Sequence, residues 1–427
     1  VSSTEFSPTH RPASATTRRI AEQARVHLNK EIIPFWFPQA IDHEDGGFFT
    51  CYDNSGNFVS DLKYTWSQGR FVAVCAQLAE AAAAGLVPLD QATLVEYARR
   101  GAVFLRDHAL RPDGTTRYVL SRRGEPVESP GASVYADCFA IMGFAAMARV
   151  SGEKRWLAIA EHMTEVAWQT AAQSPVPTAP YQMPAGTKVL GVHMILLNVE
   201  LDLAQARATL GLAPEPGGLQ RAVTGLVSMA RPDGGFDEVG GGGLAADSLL
   251  ATHRTPGHAL EGMWMLARAN QLIASGPSLG QLVDWTLRLC ELGWDEEFGG
   301  LFRYVAATGG RPAGGEIGIA YESLVNSTWD TKLWWVHSEA SWTLTLLAEL
   351  SGDDALAAWR DRVWEYTRAT FPGRDEGKEW IQIRDRAGRP LNQVVALPLK
   401  DPYHITRNLI QLATLGAPAA TPTQENQ

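Results

Sequence analysis

Residues 46–59, Gly46-Gly-Phe-Phe-Thr-Cys-Tyr-Asp-Asn-Ser-Gly-Asn-Phe-Val59, interrupt a helical pattern with a short hairpin that turns at Asn54-Ser-Gly56. The texture returns at Asp113-Gly-Thr-Thr-Arg-Tyr, at Gly234-Gly-Phe, at Gly299-Gly-Leu-Phe-Arg-Tyr, and at Glu379-Trp-Ile-Gln-Ile-Arg with Ala387-Gly-Arg. Helical spacing fills the intervals: Thr17 to Phe37, Lys63 to Leu86, Asp90 to His108, a segment capped at Ser129-Pro-Gly, Glu153 to Thr170, Lys188 to Leu210, and so on to the C-terminus. About twelve helices, joined alternately by short loops and by glycine-aromatic hairpins, predict an all-α (α/α)6 barrel with short β-hairpins on one face. An open solenoid would show the same pairing but needs polar end caps, and none is evident. The barrel is expected to occupy residues 17–417 as a single catalytic domain, with 1–16 as a loosely ordered N-terminal tail and 418–427 as a C-terminal one.

The 427 residues are 45% hydrophobic and 20% charged, the balance of a globular protein with a sizeable core. A net charge of −10 argues against nucleic acid and anionic membrane as partners, because an acidic surface attracts neither. No apolar run reads as long enough to span a bilayer, and the first residues lack the apolar core of a secretory signal. Cys51, Cys75, Cys138 and Cys290 are scattered without metal or redox spacing and read as reduced, buried thiols of a cytoplasmic protein. A homodimer is allowed but not required.

Arg254-Thr-Pro-Gly-His258-Ala-Leu-Glu261 reads as a helix start that presents one imidazole: Thr255 suits the N-cap and Pro256 the first helical position. The helix dipole there opposes protonation of His258, and Glu261, three residues on, is placed to orient the ring. Asp401-Pro-Tyr-His404 repeats this grammar, so a site with two histidine bases is expected, against the plainer reading of two satisfied helix-end residues. Asp330-Thr-Lys-Leu-Trp-Trp-Val-His-Ser-Glu339 gives a helix face with Lys332, Trp335 and Glu339, suited to stacking on a sugar and binding its hydroxyls; the alternative is a packed core helix. Tyr64-Thr-Trp-Ser-Gln-Gly-Arg70 offers a guanidinium for a carbonyl or enediolate oxygen, or for a structural ion pair. His193 sits alone on an apolar helix. No HExxH, Cys/His cluster, Asp-rich loop, P-loop or dinucleotide fingerprint is present, so neither metal nor cofactor is indicated.

In Gly46-Gly-Phe-Phe-Thr-Cys, Asp61-Leu-Lys-Tyr-Thr-Trp-Ser-Gln-Gly-Arg70, Pro256-Gly-His-Ala-Leu-Glu261, Lys332-Leu-Trp-Trp-Val-His-Ser-Glu339 and Tyr403-His404, taken in order, the sequence resembles the N-acylglucosamine 2-epimerase superfamily, which includes cellobiose 2-epimerases and mannose-type aldose-ketose isomerases. The resemblance implies a barrel acting on a free, unphosphorylated aldose. It implies His258 and His404 as the acid/base pair, Arg70 as carbonyl-side ligand, and Glu261 and Glu339 as polar groups of the pocket; Tyr64, His193, Trp335 and His337 are expected to join them in binding the substrate. His193 resembles an extra histidine of the isomerase and cellobiose branches, whereas the N-terminal and tryptophan motifs look more like the N-acylglucosamine branch. The expected chemistry is removal of the C2 proton to an enediolate and its return to the opposite face, giving a 2-epimer of the N-acetylglucosamine/N-acetylmannosamine or glucose/mannose type. Return to C1 would make the chain an aldose-ketose isomerase. A glycoside hydrolase or a noncatalytic sugar-binding module is the remoter expectation.

Overall fold

The computed structural model describes residues 12–37, 39–373, 379–392, 399–400 and 402–416. Asp401, residues 1–11 of the expected N-terminal tail and the whole of the expected C-terminal tail lie outside the described residues. Twelve of the described helices have twelve or more residues: α1 Ala15–His27, α2 Thr65–Ala83, α3 Gln91–Phe104, α4 Val134–Ser151, α5 Lys154–Ala171, α6 Leu190–Thr209, α7 Pro216–Val227, α8 Pro256–Leu272, α9 Leu279–Gly293, α10 Trp334–Ser351, α11 Asp354–Thr370 and α12 Tyr403–Leu415.

Two kinds of helix alternate. The outer helices carry one apolar stripe; in α9 the residues Leu282, Val283, Trp285, Leu289 and Cys290 are buried and the opposite side is polar. Inner helices such as α4 and α10 are buried nearly all round, as an element packed by neighbours on every side must be. Each inner helix touches the next, α2 to α4, α6, α8, α10, α12 and back to α2, while α3, α5, α7, α9, α11 and α1 back them from outside. Six pairs therefore close a ring, as expected, and contact between α12 and α2 removes the open solenoid. The α4 helix is, by length and apolar character, able to cross a membrane, which the sequence reading missed; it lies within the inner ring with most of its residues buried.

The helices α2, α6 and α10 begin later than their spacing implies. Lys63–Tyr64, Thr187–Val189, His253–Arg254 and Lys332–Leu333 are short strands that immediately precede inner helices, and each pairs antiparallel with a strand of a glycine-aromatic hairpin. The helix expected from Ser129 starts at Val134. At the N-terminus, helix comes two residues early, because the Ser14 hydroxyl accepts from Thr17 N and caps it. The four cysteines are free and buried.

All six inner helices run with their N-termini toward the hairpin face, so residues of their first turns gather at one end of the ring.

Candidate active site

His258 enters this end on α8. Pro256 is the first helical residue, as expected, but the Thr255 side chain makes no cap bond. The ring is oriented by a residue the sequence reading missed: Nδ1 lies 3.0 and 3.1 Å from the two oxygens of Glu238, which is buried at the edge of the hairpin after Gly234-Gly-Phe236. Burial would lower the affinity of His258 for a proton, but the charge and hydrogen bond of Glu238 reverse this and hold it above the usual histidine value. The expectation of a dipole-neutralised His258 is thus overturned, since a carboxylate in contact outweighs a helix end worth ~1 kcal/mol or less.

His404 enters on α12, whose N-cap is Pro402. Its Nδ1 is 2.7 Å from Glu339 Oε1 and its Nε2 is 3.2 Å from Arg70 Nη2. A guanidinium only donates, so Nε2 accepts and the ring proton sits on Nδ1, donated to Glu339. Burial dominates here and carries His404 down to about 3, against the pull of Glu339. Two histidines with the same local grammar therefore occupy opposite electrostatic settings.

Trp335, in the first turn of the intervening helix α10, packs against both rings, with centroids 5.2 Å from His258 and 5.8 Å from His404. Arg70 lies on the far side of His404, its guanidinium 4.0 Å from the Phe139 ring and 5.2 Å from that of Trp66. His258, His404, Arg70, Trp335 and Glu261 line one cavity together with Trp66, Tyr135, Asn198 and Arg303.

Glu261 does not bond His258; it accepts from Arg407 Nη2 at 3.0 Å. Glu339 is fully buried behind His404, where Trp264, Arg407 and Asn408 also donate to it. Burial, and then the neighbouring Glu339 charge, push Glu261 up, whereas Arg407 and His404 bring Glu339 down despite its burial. Oxygens of these two carboxylates and a nitrogen of His404 lie within 4.8 Å of one another, a spacing that would suit a metal ion. The Arg407 guanidinium, bonded to both carboxylates, already supplies the cation there.

Besides Glu339, three expected pocket residues lie outside this cavity. Tyr64 is on a strand, edge-on to Tyr118 at 6.2 Å. His193 lies on α6 but faces a second cavity, with Trp168 and Arg221. His337 is fully buried, accepting from Leu301 N at 2.9 Å and donating to Leu333 O at 2.7 Å, so it serves the scaffold. Lys332 is also not on the Trp335 face; it is a buried strand residue paired with Asp295 at 3.1 Å. Of the residues missed, Arg407 was accessible in principle, one turn beyond His404 on the same helix face. Glu238 carried only the signal of following a Gly-Gly-Phe turn.

Residues 239–407 match the family of N-acylglucosamine 2-epimerase (GlcNAc 2-epimerase). The human N-acylglucosamine 2-epimerase is 31% identical over 388 residues, 88% of this chain and 86% of that one. Among solved structures, a sugar epimerase from a ruminal bacterium superposes with TM-score 0.72 at 18% identity, covering 94% of this chain and 100% of the other. A D-mannose isomerase gives 0.70 at 16% identity, covering 94% and 98%. At such identities the structures speak for the shared barrel, and the sequence match to the human enzyme carries the family. The chain is accordingly a member of the N-acylglucosamine 2-epimerase family, a carbohydrate isomerase.

Proposed function

We propose that the chain is a 2-epimerase of a free, unphosphorylated aldose, of the N-acetylglucosamine/N-acetylmannosamine or glucose/mannose type, acting through His258 and His404. The observation that carries the proposal is the matched setting of the two rings: each has Nδ1 bound by a buried carboxylate, and both line one cavity on either side of Trp335. An Nδ1-bound carboxylate fixes the tautomer and leaves Nε2 as the working nitrogen.

In the open-chain sugar the aldehyde acidifies C2–H. One histidine takes that proton through Nε2 while the C–H electrons form the C1–C2 double bond and charge moves to O1. Arg70 stabilises the anion, and O1 takes over the N–H that Arg70 gives His404 in the free protein. The other histidine returns a proton to the opposite face of C2, and the carbonyl re-forms. Solvent then resets the two protonation states. The Trp335 indole provides a flat apolar wall for the sugar chain.

Reprotonation at C1, with the hydroxyl proton moved from O2 to O1, would give a ketose instead. The specific support for that reading, His193, falls away because its ring faces another cavity. A hydrolase would need two carboxyl groups free to flank a bond, but Glu238 and Glu339 are bonded to histidines and Glu261 to Arg407.

The test is NMR in D2O with N-acetyl-D-mannosamine, D-mannose and D-glucose offered separately. Deuterium at C2 of an aldose product is expected, and it identifies the sugar; label at C1 of a ketose would replace the epimerase with an isomerase. His258→Asn and His404→Asn are each expected to lower kcat at least ~1000-fold with circular dichroism unchanged. Full turnover in either variant rules out the paired-histidine chemistry.

A further inference from the structure

We infer that Glu238 is a positioning residue that makes His258 the resident acid of the pair and leaves His404 the resident base, so that the resting enzyme takes the C2 proton on the His404 side of the sugar. This rests on the reading above and adds an order to it. Two histidines treated alike would leave the protein divided between two protonation forms, only one of which accepts a given epimer.

The groups around each ring decide the asymmetry. His258 faces Glu238, whose two oxygens both lie on Nδ1, and Glu261 on its own helix; Arg303, from the hairpin after α9, is the opposing cation. The Trp335 ring stacks on His258 as well, and its π face also favours a cation. His404 has Arg70 of α2 against Nε2 and Arg407 of its own helix close by, with Glu261 of α8 at 3.9 Å. Its carboxylate partner on α10, Glu339, is shared with Arg407, Trp264 and Asn408. Charge on His258 is thus met by two carboxylates against one guanidinium in a partly exposed place, whereas charge on the more deeply buried His404 meets Glu339 and Glu261 against the guanidiniums of both Arg70 and Arg407. The directions found for the two rings, upward for His258 and downward for His404, follow from this arrangement and from their burial.

Glu238 is also well placed to hold its position. It immediately precedes the strand Val239–Gly241, which pairs with Thr187–Val189, and its backbone carbonyl accepts from Leu190 N at 2.9 Å. The carboxylate is therefore fixed by a ladder that also leads into α6, independently of the helix that carries His258.

The experiment is an NMR pH titration of the full chain with 15N-labelled histidine, comparing the natural sequence, Glu238→Gln and Glu238→Asp, with His258→Asn and His404→Asn assigning the signals. At pH 7 the natural protein is expected to show His258 protonated on both nitrogens and His404 neutral with its proton on Nδ1. In Glu238→Gln the His258 midpoint should fall by about one to three pH units while His404 stays, and the alkaline limb of kcat/KM should move down with it. Glu238→Asp, which retains the charge, should restore most of the shift. A neutral His258 at pH 7 in the natural protein, or an unmoved midpoint in Glu238→Gln, overturns the inference. If Glu238→Gln does not fold, the titration of the natural protein still decides. Full activity of His258→Asn would instead overturn the paired-histidine reading, whatever Glu238 does.

Discussion

His337 and Gln68 occupy matching places in two copies of one local device. In the first, Gln68 Oε1 accepts from Phe48 N at 2.8 Å, behind the Gly46-Gly turn; in the second, His337 Nε2 accepts from Leu301 N at 2.9 Å, behind the Gly299-Gly turn. The neighbours repeat too: Lys63 pairs with Asp42 at 2.9 Å, as Lys332 does with Asp295 at 3.1 Å. A histidine in a motif beside a tryptophan reads as a ligand in sequence, and only the buried backbone contact shows that a glutamine does the same work. Burial first, and then Lys332, lower His337 to about 3, against an unfolded value near 6.5. Below about pH 6.5 the unfolded chain binds a proton that the folded chain refuses, so stability falls with falling pH, by roughly 1.4 kcal/mol per unit from this group. His337→Gln is expected to retain activity within about twofold and to lose less thermal stability between pH 7 and pH 5, as melts at three pH values would show. An unchanged acid dependence would show that other groups control it.

At the scale of elements, the approach of α2 to α4 positions Arg70. A methyl group on Gly69 would sit 2.2 Å from the carbonyl oxygen of Phe139, and one on Gly143 would sit 2.9 Å from that of Gly69, so the two backbones touch where both residues are glycine. This contact brings the Arg70 guanidinium over the Phe139 ring and against His404. Gly69→Ala must separate the helices, at a cost of ~1–3 kcal/mol, and is expected to depress kcat more than it depresses stability, because Arg70 moves with its helix. Urea denaturation beside initial-rate assays would check this, and loss of stability with unaltered kcat would contradict it. The helix starts were legible only approximately, since Lys63, Lys188 and Lys332 fit a helical spacing until a hairpin strand pairs with the backbone beside them. Pairing with a partner more than fifty residues away leaves no local signature.

Across the whole molecule, the C-terminal helix both closes the ring and brings half of the site. The α12 helix packs on α1, α2 and α10 and carries His404 and Arg407. Truncation after Lys400 would uncover the apolar faces of α1, α2 and α10, and the expected result is loss of a cooperative thermal transition with aggregation, read by circular dichroism and size exclusion. A soluble, cooperatively melting but inactive fragment would show that the ring tolerates an opening. The alternation of glycine-aromatic hairpins with paired helices was enough, from sequence alone, to determine the barrel, because period and turn chemistry are local properties. The same holds for the two histidine starts, where a proline at or beside the first helical position precedes the ring in the primary structure. Only the tertiary structure decided that His337 and His193 lie outside the cavity, that Glu238 holds His258, and that two rings with one grammar carry opposite preferences for a proton. Those outcomes depend on burial and on charges brought from distant parts of the chain, and the electrostatics of a buried group is set by its neighbours in space.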